Sequence, residues 1–467
     1  MAKYRISEAE DDVPDAALSG PTAATRPPDA HRGTPRTCGP DDRAAVAAAV
    51  AAMPLSSIDV SDAYLFRDDT IGLYFERLRR EDPVHHCSES RFGPFWSITR
   101  FEDIRRVELD HEVFSSEASL GGIALFEAPP EENWPSFIAM DPPRHDAQRM
   151  TVAKIAAPPA LARLEPLIRE RAGRILDALP HGETFDWVAR VSIELTTQML
   201  ATLFDFPFEQ RHRLARWSEI ATGDPRMKGI VTSWEMRRAE LGECLAAFTD
   251  LWNARVNAPP RFDLISMMAH APATRDLTPD AFLGNLILLI VGGNDTTRNS
   301  ISGGLLALNR FPDEWRKLRR DPTLVASLVP EIVRWQTPLA HMRRTAREDA
   351  VVGGKTIRKG DKVAMWYLSA NRDADAIDEP DRFIVDRPKP RNHLSFGFGI
   401  HHCMGNRIAE LQLRVLWEEI LARGLEIAIV GEPQRTLSNF VHGFTTMPVQ
   451  IRAPAGGHAA PDAANRR

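Results

Sequence analysis

The run Phe396-Gly397-Phe398-Gly399-Ile400-His401-His402-Cys403-Met404-Gly405 sets one thiol in a glycine-rich loop, with a basic side chain two positions before it and a helical pattern directly after. A lone cysteine in such a loop is a candidate ligand for a haem iron. The metal would deprotonate a thiol whose ordinary pKa is about 8.5, and the thiolate would push electron density onto the iron and favour O–O cleavage. The glycines let backbone lie close against a flat macrocycle and leave peptide N–H groups free to face the sulfur. Two plainer readings compete. A cysteine often does no more than pack. Zinc is the other rival, but three consecutive residues, His401, His402 and Cys403, do not converge easily on one tetrahedral ion, and no second Cys or His cluster completes a site.

Three further groups of residues could act with that thiol. Gly292-Gly293-Asn294-Asp295-Thr296-Thr297 lies inside a helical pattern, where each glycine costs about 1 kcal/mol relative to alanine. The cost is explained either by close helix packing or by a local opening for a small molecule, with an acid and an alcohol beside it. Glu331 and Arg334 are three apart on one helix face and close enough to pair; alone, such a pair is worth only a few tenths of a kcal/mol at a surface. His145 and Arg149 share a face of a helix that opens after Pro142-Pro143.

These residues need elements to hold them. Thr278 can cap the longest helix, with Pro279 at its first position, Asp280 at the positive end of the dipole and a pattern running to about Asn309. Its apolar run, Leu286 to Val291, is too short to span a membrane. After Cys403, Ile408, Leu411 and Val415 recur at helical spacing, interleaved with Arg407 and Arg414. Strand signals are short: Phe95 to Thr99, a Gly353-Gly354 hairpin from Val351 to Ile357, and Lys362 to Tyr367. Residues 1–42 and 455–467 are rich in small and polar residues without apolar periodicity and are expected to stay disordered, leaving 43–454 as a single catalytic domain. Ala44 to Met53 reads as a short surface helix.

Composition excludes several classes. A net charge of −6 over 467 residues gives no global basic surface, so nucleic acid is not an expected partner. Cys38, Cys87, Cys244 and Cys403 are too widely and irregularly spaced for a disulfide framework, which suits a reducing cytoplasm. Met1 to Asp12 is charged and lacks the apolar core of a signal peptide, so a cytoplasmic protein without a membrane anchor is expected.

The loop pattern F-G-x-G-x-H-x-C-x-G, followed back through Asp295-Thr296, Glu331-x-x-Arg334 and Pro380-Asp381-Arg382-Phe383 in that chain order, resembles the cytochrome P450 family over about residues 60–453. The resemblance implies a mainly α fold, a large helical body with a smaller β-rich side, and haem b held between the long central helix and the helix after the cysteine loop. It implies Cys403 as the axial iron ligand, Phe396, Gly397 and Gly405 as its loop, and His145, Arg149, Arg344 and His401 as partners of the haem propionates. Thr296 would hydrogen-bond the dioxygen co-substrate and Asp295 would help relay protons. Arg382 would join Glu331 and Arg334 in a structural network. One oxygen atom would enter a C–H bond with electrons from a ferredoxin and its reductase, which would dock on local Arg and His of the proximal face.

Phrases such as Phe137 to His145, Met365 to Asp373 and His393 to Phe396 look like the bacterial alkane and fatty-acid terminal hydroxylases. The expected pocket is apolar, lined by Ile123 to Phe126, Leu288 to Val291, Leu339, Ala340, Met342 and Phe440 to Phe444, with Ile123, Leu125, Leu288, Leu289, Val291, Gly292, Leu339, Met342, Phe440 and Phe444 as the residues singled out. The leading expectation is terminal hydroxylation of medium-chain alkanes, primary alcohols or fatty acids. A terpene or steroid hydroxylase on the same fold is the alternative, and a haem-thiolate sensor or carrier is a remote third, which has no evident need for Asp295-Thr296.

Overall fold

The computed structural model describes residues 40–452 apart from Lys228. The helices that bear on the site are α1 (Pro40–Ala52), α2 (Phe101–Leu109), α3 (Arg144–Ala153), α4 (Pro158–Asp177), α5 (Glu194–Phe204), α6 (His212–Thr222), α7 (Trp234–Val256), α8 (Pro279–Arg310), α9 (Val325–Gln336) and α10 (Asn406–Ala422). The strands are β1 (Val84–Cys87), β2 (Phe95–Ile98), β3 (Phe114–Ser115), β4 (Phe185–Asp186), β5 (Met342–Ala346), β6 (Ala350–Val352), β7 (Lys355–Ile357), β8 (Lys362–Met365), β9 (Glu426–Ile429), β10 (Gln434–Arg435), β11 (Phe444–Thr446) and β12 (Pro448–Arg452). The expected disordered segments lie outside the described residues, except that residues 40–42 already belong to α1, with Pro40 suited to a first helical position.

Helix α8 organises the body. The Thr278 side chain accepts a hydrogen bond from the Ala281 N–H, satisfying one of the helix's orphan donors, and the helix then runs for 32 residues. Its first half carries Leu286 and Ile290 into a core with Phe204 of α5 and Phe248 and Trp252 of α7. Its second half carries Ile301 and Leu305 into a different core with Ile168 of α4, Ile332 of α9 and Trp417 of α10. Burying each such aliphatic side chain is worth about 1.5–3 kcal/mol, so α8 is fixed at both ends while the stretch between them is free to serve a site.

The β-rich side is a five-stranded sheet in the order β1-β2-β8-β5-β3, antiparallel except where β2 meets β8. The β6–β7 hairpin closes through Gly353 and Gly354, both at positive φ, as a two-residue turn of matching twist requires. The strand read from Lys362 to Tyr367 ends earlier, at Met365: Trp366 still donates to the Ile98 carbonyl, but its own carbonyl accepts from Ser369 and Ala370, which starts a helical turn. Among the described residues, no helix is long and apolar enough to cross a membrane.

Candidate active site

A cavity of about 1590 Å³ lies between α8 and the cysteine loop, and Cys403, Phe396, Gly397, Gly405, His145, Arg149, Arg344, His401 and Thr296 all face it. The loop is held in register by the Cys403 N–H, which donates to the Phe396 carbonyl at 2.8 Å. Gly399 has φ +63°, and a Cβ there would lie 2.6 Å from the Glu108 carbonyl oxygen at the end of α2, so only glycine lets the loop dock on that helix. Burial pushes the Cys403 thiol up, while the N–H groups of Gly405 and Asn406 and the Arg149 guanidinium favour a thiolate. A metal at the sulfur would decide that balance toward the anion.

At one rim of the cavity two histidines meet edge to face, with the His145 and His401 ring centroids 4.4 Å apart. His401 Nε2 is 2.9 Å from Ser116 Oγ and His145 Nδ1 is 2.7 Å from an Asp146 oxygen. The remaining ring nitrogens, His145 Nε2 and His401 Nδ1, are buried without a hydrogen-bond partner among the described residues. Buried polar atoms are seldom left unpaired. Here the two orphans lie beside Arg149 and Arg344 and are open to a partner within the cavity.

Across the cavity, α8 runs unbroken through its glycine pair, so no local opening of the helix forms. The two glycines have different reasons. A Cβ on Gly293 would lie 2.7 Å from Leu200 Cδ2 of α5, which is the close-packing explanation; a Cβ on Gly292 would meet nothing within 4 Å, because Gly292 faces the cavity. Thr296 Oγ1 donates to the Gly292 carbonyl at 2.8 Å, on the cavity wall. Asp295 points the other way. One of its oxygens accepts from Arg298 Nη2 at 2.9 Å and Asn294 Nδ2 at 3.1 Å, and Arg298 Nη1 reaches Glu219 of α6 at 2.8 Å. Burial holds the Asp295 carboxyl above the usual carboxylate range against the pull of Arg298.

Behind the loop, Glu331 and Arg334 are fully buried and form a two-pronged pair at 2.8 Å for each bond. The third member of the network is corrected by the structure: it is Arg387, whose Nε lies 2.9 Å from Glu331, and not Arg382. The Arg382 side chain is exposed and pairs with Glu379 at 2.6 Å; only its carbonyl enters the network, accepting from Arg334 and Arg387. Glu331 is saturated by two guanidiniums and the Ile384 N–H, which leaves no room for another cation. Arg334 also donates to the Asn371 carbonyl, and Asn371 holds Leu394 and Ser395 at the entry to the cysteine loop.

Comparison with known proteins agrees with this geometry. The family model described as Cytochrome P450 matches residues 254–450. Linalool 8-monooxygenase from Pseudomonas putida is 37% identical over 84% of this chain and 98% of its own length. The chain belongs to the cytochrome P450 family. The methyl-branched lipid omega-hydroxylase of Mycobacterium tuberculosis is 31% identical, covering 85% of this chain and 95% of its own. The solved structure of CYP153D17 from Sphingomonas sp. PAMC 26605 is 47% identical, with a TM-score of 0.79 over 85% of this chain and 99% of that one. This P450 is thus a haem-thiolate monooxygenase that hydroxylates apolar substrates.

The residues present fit a haem. The cavity offers one sulfur supported by N–H groups, two orphaned ring nitrogens beside two guanidiniums for a pair of carboxylates, and a helix face opened by Gly292. Of the expected lining, Ile123, Leu288, Leu289, Val291, Gly292, Leu339, Met342, Phe440 and Phe444 face the cavity. Leu125 does not: it is fully buried in a separate core with Phe66, Phe75 and Trp366, while its neighbours Ile123, Ala124 and Phe126 face the cavity. Ile290 and Ala340 likewise pack into neighbouring cores. Sequence reasoning missed Arg387, the Arg298–Glu219 link and Glu108 behind Arg344. A second arginine five residues after Arg382 was the one available signal for the first; nothing in the spacing marks the other two.

Proposed function

We propose that this P450 is a terminal hydroxylase of medium-chain alkanes, primary alcohols or fatty acids, supplied with electrons by a ferredoxin and its reductase. The observation that carries the reading is the lining of the cavity on the α8 side, where Leu288, Leu289, Val291, Leu339 and Phe440 present hydrocarbon surface around the approach to Cys403. Such a wall selects by shape and burial, at about 0.8 kcal/mol per buried methylene. A relative named for omega-hydroxylation of methyl-branched lipids supports the terminal position. A relative named for linalool keeps a terpene as the second reading.

When bound, the haem supplies activation of O2 and transfer of one oxygen atom to carbon. The chain's own groups position and protonate. In this reading Cys403 would hold the haem iron through its sulfur, and His145, Arg149, Arg344 and His401 would hold the propionates. The Thr296 hydroxyl, anchored on the Gly292 carbonyl, holds a proton at the cavity wall. Asp295, its carboxyl raised by burial against the pull of Arg298, stands behind it, and the Arg298–Glu219 link leads from there to the half-exposed side of α6. On the proximal face Arg407 is exposed at the start of α10 and offers the donor a positive charge, whereas Arg414 is already paired with Glu165 and Glu418.

The test titrates the ferric protein with dodecane, dodecanol, dodecanoate, linalool and a steroid, reads the spin-state change, and identifies products after turnover with a reconstituted ferredoxin and reductase. Terminal alcohols from linear chains are expected; oxidation confined to linalool or a steroid ring overturns the substrate assignment. In the same assay Thr296→Ala should consume reductant with little product, and unchanged coupling would remove Thr296 from its role.

A further inference from the structure

Behind the propionate rim, Arg344 is tied to a buried carboxylate and, through it, to a tyrosine, neither of which has a part in the reaction. Glu108, near the end of α2, is buried with a side chain only 1% exposed. One of its oxygens accepts from Arg344 Nη2 at 2.9 Å and the other from the Tyr367 hydroxyl. Arg344 Nη1 is tied to the Arg343 carbonyl at 2.8 Å. Arg344 and Tyr367 face the cavity beside Gly397 and His401, while Glu108 stands behind them and does not. The same residue supports the cysteine loop: its carbonyl abuts Gly399, and a Cβ on Gly397 would lie 3.5 Å from its carboxylate oxygen.

We infer that Glu108, aimed by Tyr367, is a positioning residue that cancels the charge of Arg344 at the propionate rim and thereby lowers the reduction potential of the bound haem. Two guanidiniums, Arg149 and Arg344, face the rim, and both would favour the reduced, more electron-rich state. A buried carboxylate 2.9 Å from one of them removes most of its long-range field, because the two charges act as a dipole at the distance of the iron. Tyr367 makes the arrangement durable. Its phenol is held far above its ordinary range by burial and by Glu108, so it stays a donor and fixes the second carboxylate oxygen. With Arg344 Nη1 committed to a carbonyl and Nη2 shared with Glu108, the guanidinium has a set direction and a limited number of N–H groups left for a carboxylate in the cavity.

The inference concerns the haem and not the substrate, so it stands or falls independently of the terminal-hydroxylase reading. Its test is potentiometry of the purified holoprotein without substrate. Glu108→Gln keeps the shape and removes the charge; the midpoint potential should rise, with the absorption of the ferrous–CO complex unchanged, since that signature reports the thiolate. Haem transfer to apomyoglobin should slow, because an uncompensated Arg344 binds a propionate more strongly. Tyr367→Phe retains the charge and should leave the potential close to the native value. If Glu108→Gln alone does not fold, the comparison of Arg344→Gln with Arg344→Gln/Glu108→Gln repeats the test where no cation is left unpaired, and the double variant should again have the higher potential. Equal potentials within either pair overturn the inference, as would a rise in Tyr367→Phe as large as that in Glu108→Gln, which would mark a structural role alone.

Discussion

At the scale of single residues, the sharpest outcome is the exchange of one arginine for another. Arg387 is buried against Glu331, and removing it leaves a carboxylate in the core short of a partner; losses of about 3–5 kcal/mol are usual for a broken buried pair. Arg382 is exposed and pairs only with exposed Glu379, a contact worth about 0–1 kcal/mol. Arg387→Ala is therefore expected to lose most of its haem on purification and to lower the urea midpoint strongly. Arg382→Ala should match the native protein in both. Equal losses in the two variants would restore Arg382 to the network. The pair also explains where sequence reading stopped. Asp381-Arg382-Phe383-Ile384-Val385-Asp386-Arg387 offers two guanidiniums in one turn-rich segment, and which one turns inward depends on the backbone between them. Cys403 posed no such problem, because its glycines and its neighbours constrain it locally.

At the scale of elements, α8 was legible from end to end because its signals are local: a capping Thr278, Pro279 at the first turn and a long apolar period. The purpose of its glycine pair was not, since that depends on what stands opposite. Gly293 meets Leu200 and Gly292 meets open space. Gly292→Ala should gain up to about 1 kcal/mol of helix propensity and cost nothing in packing, so its thermal midpoint should rise. The added methyl projects into the cavity beside Thr296, and spin-state titration should show weaker binding of a bulky cyclic substrate with a linear chain little affected. Gly293→Ala has the same propensity gain but displaces the end of the Leu200 side chain, so its midpoint should be lower than that of Gly292→Ala. The reverse order of stability would mean that the cavity side of α8 lies at position 293.

At the scale of the whole molecule, the segment carrying Phe440 and Phe444 to the cavity is moored by two buried histidines. His341 Nδ1 lies 3.0 Å from the Asn439 carbonyl, and the ring packs on Trp366 and Phe440. His442 Nδ1 lies 2.7 Å from the Gln336 carbonyl at the end of α9, with Arg435 close to its other nitrogen. Burial lowers both from 6.5 to about 4, so both are neutral in the folded protein at pH 6. The unfolded chain binds a proton at each near pH 6.5, the folded one only near pH 4, and stability must fall as pH drops through that window. The loss is on the order of 3 kcal/mol for each histidine once pH 4 is reached. Urea midpoints should decline between pH 7 and pH 5, before most carboxylates titrate. His442→Asn and His341→Asn, which can still donate to the same carbonyls, should flatten that decline. A native midpoint that stays level down to pH 5 would mean that these histidines are protonated within the fold, and that the Phe440–Phe444 wall is held by something other than two neutral rings.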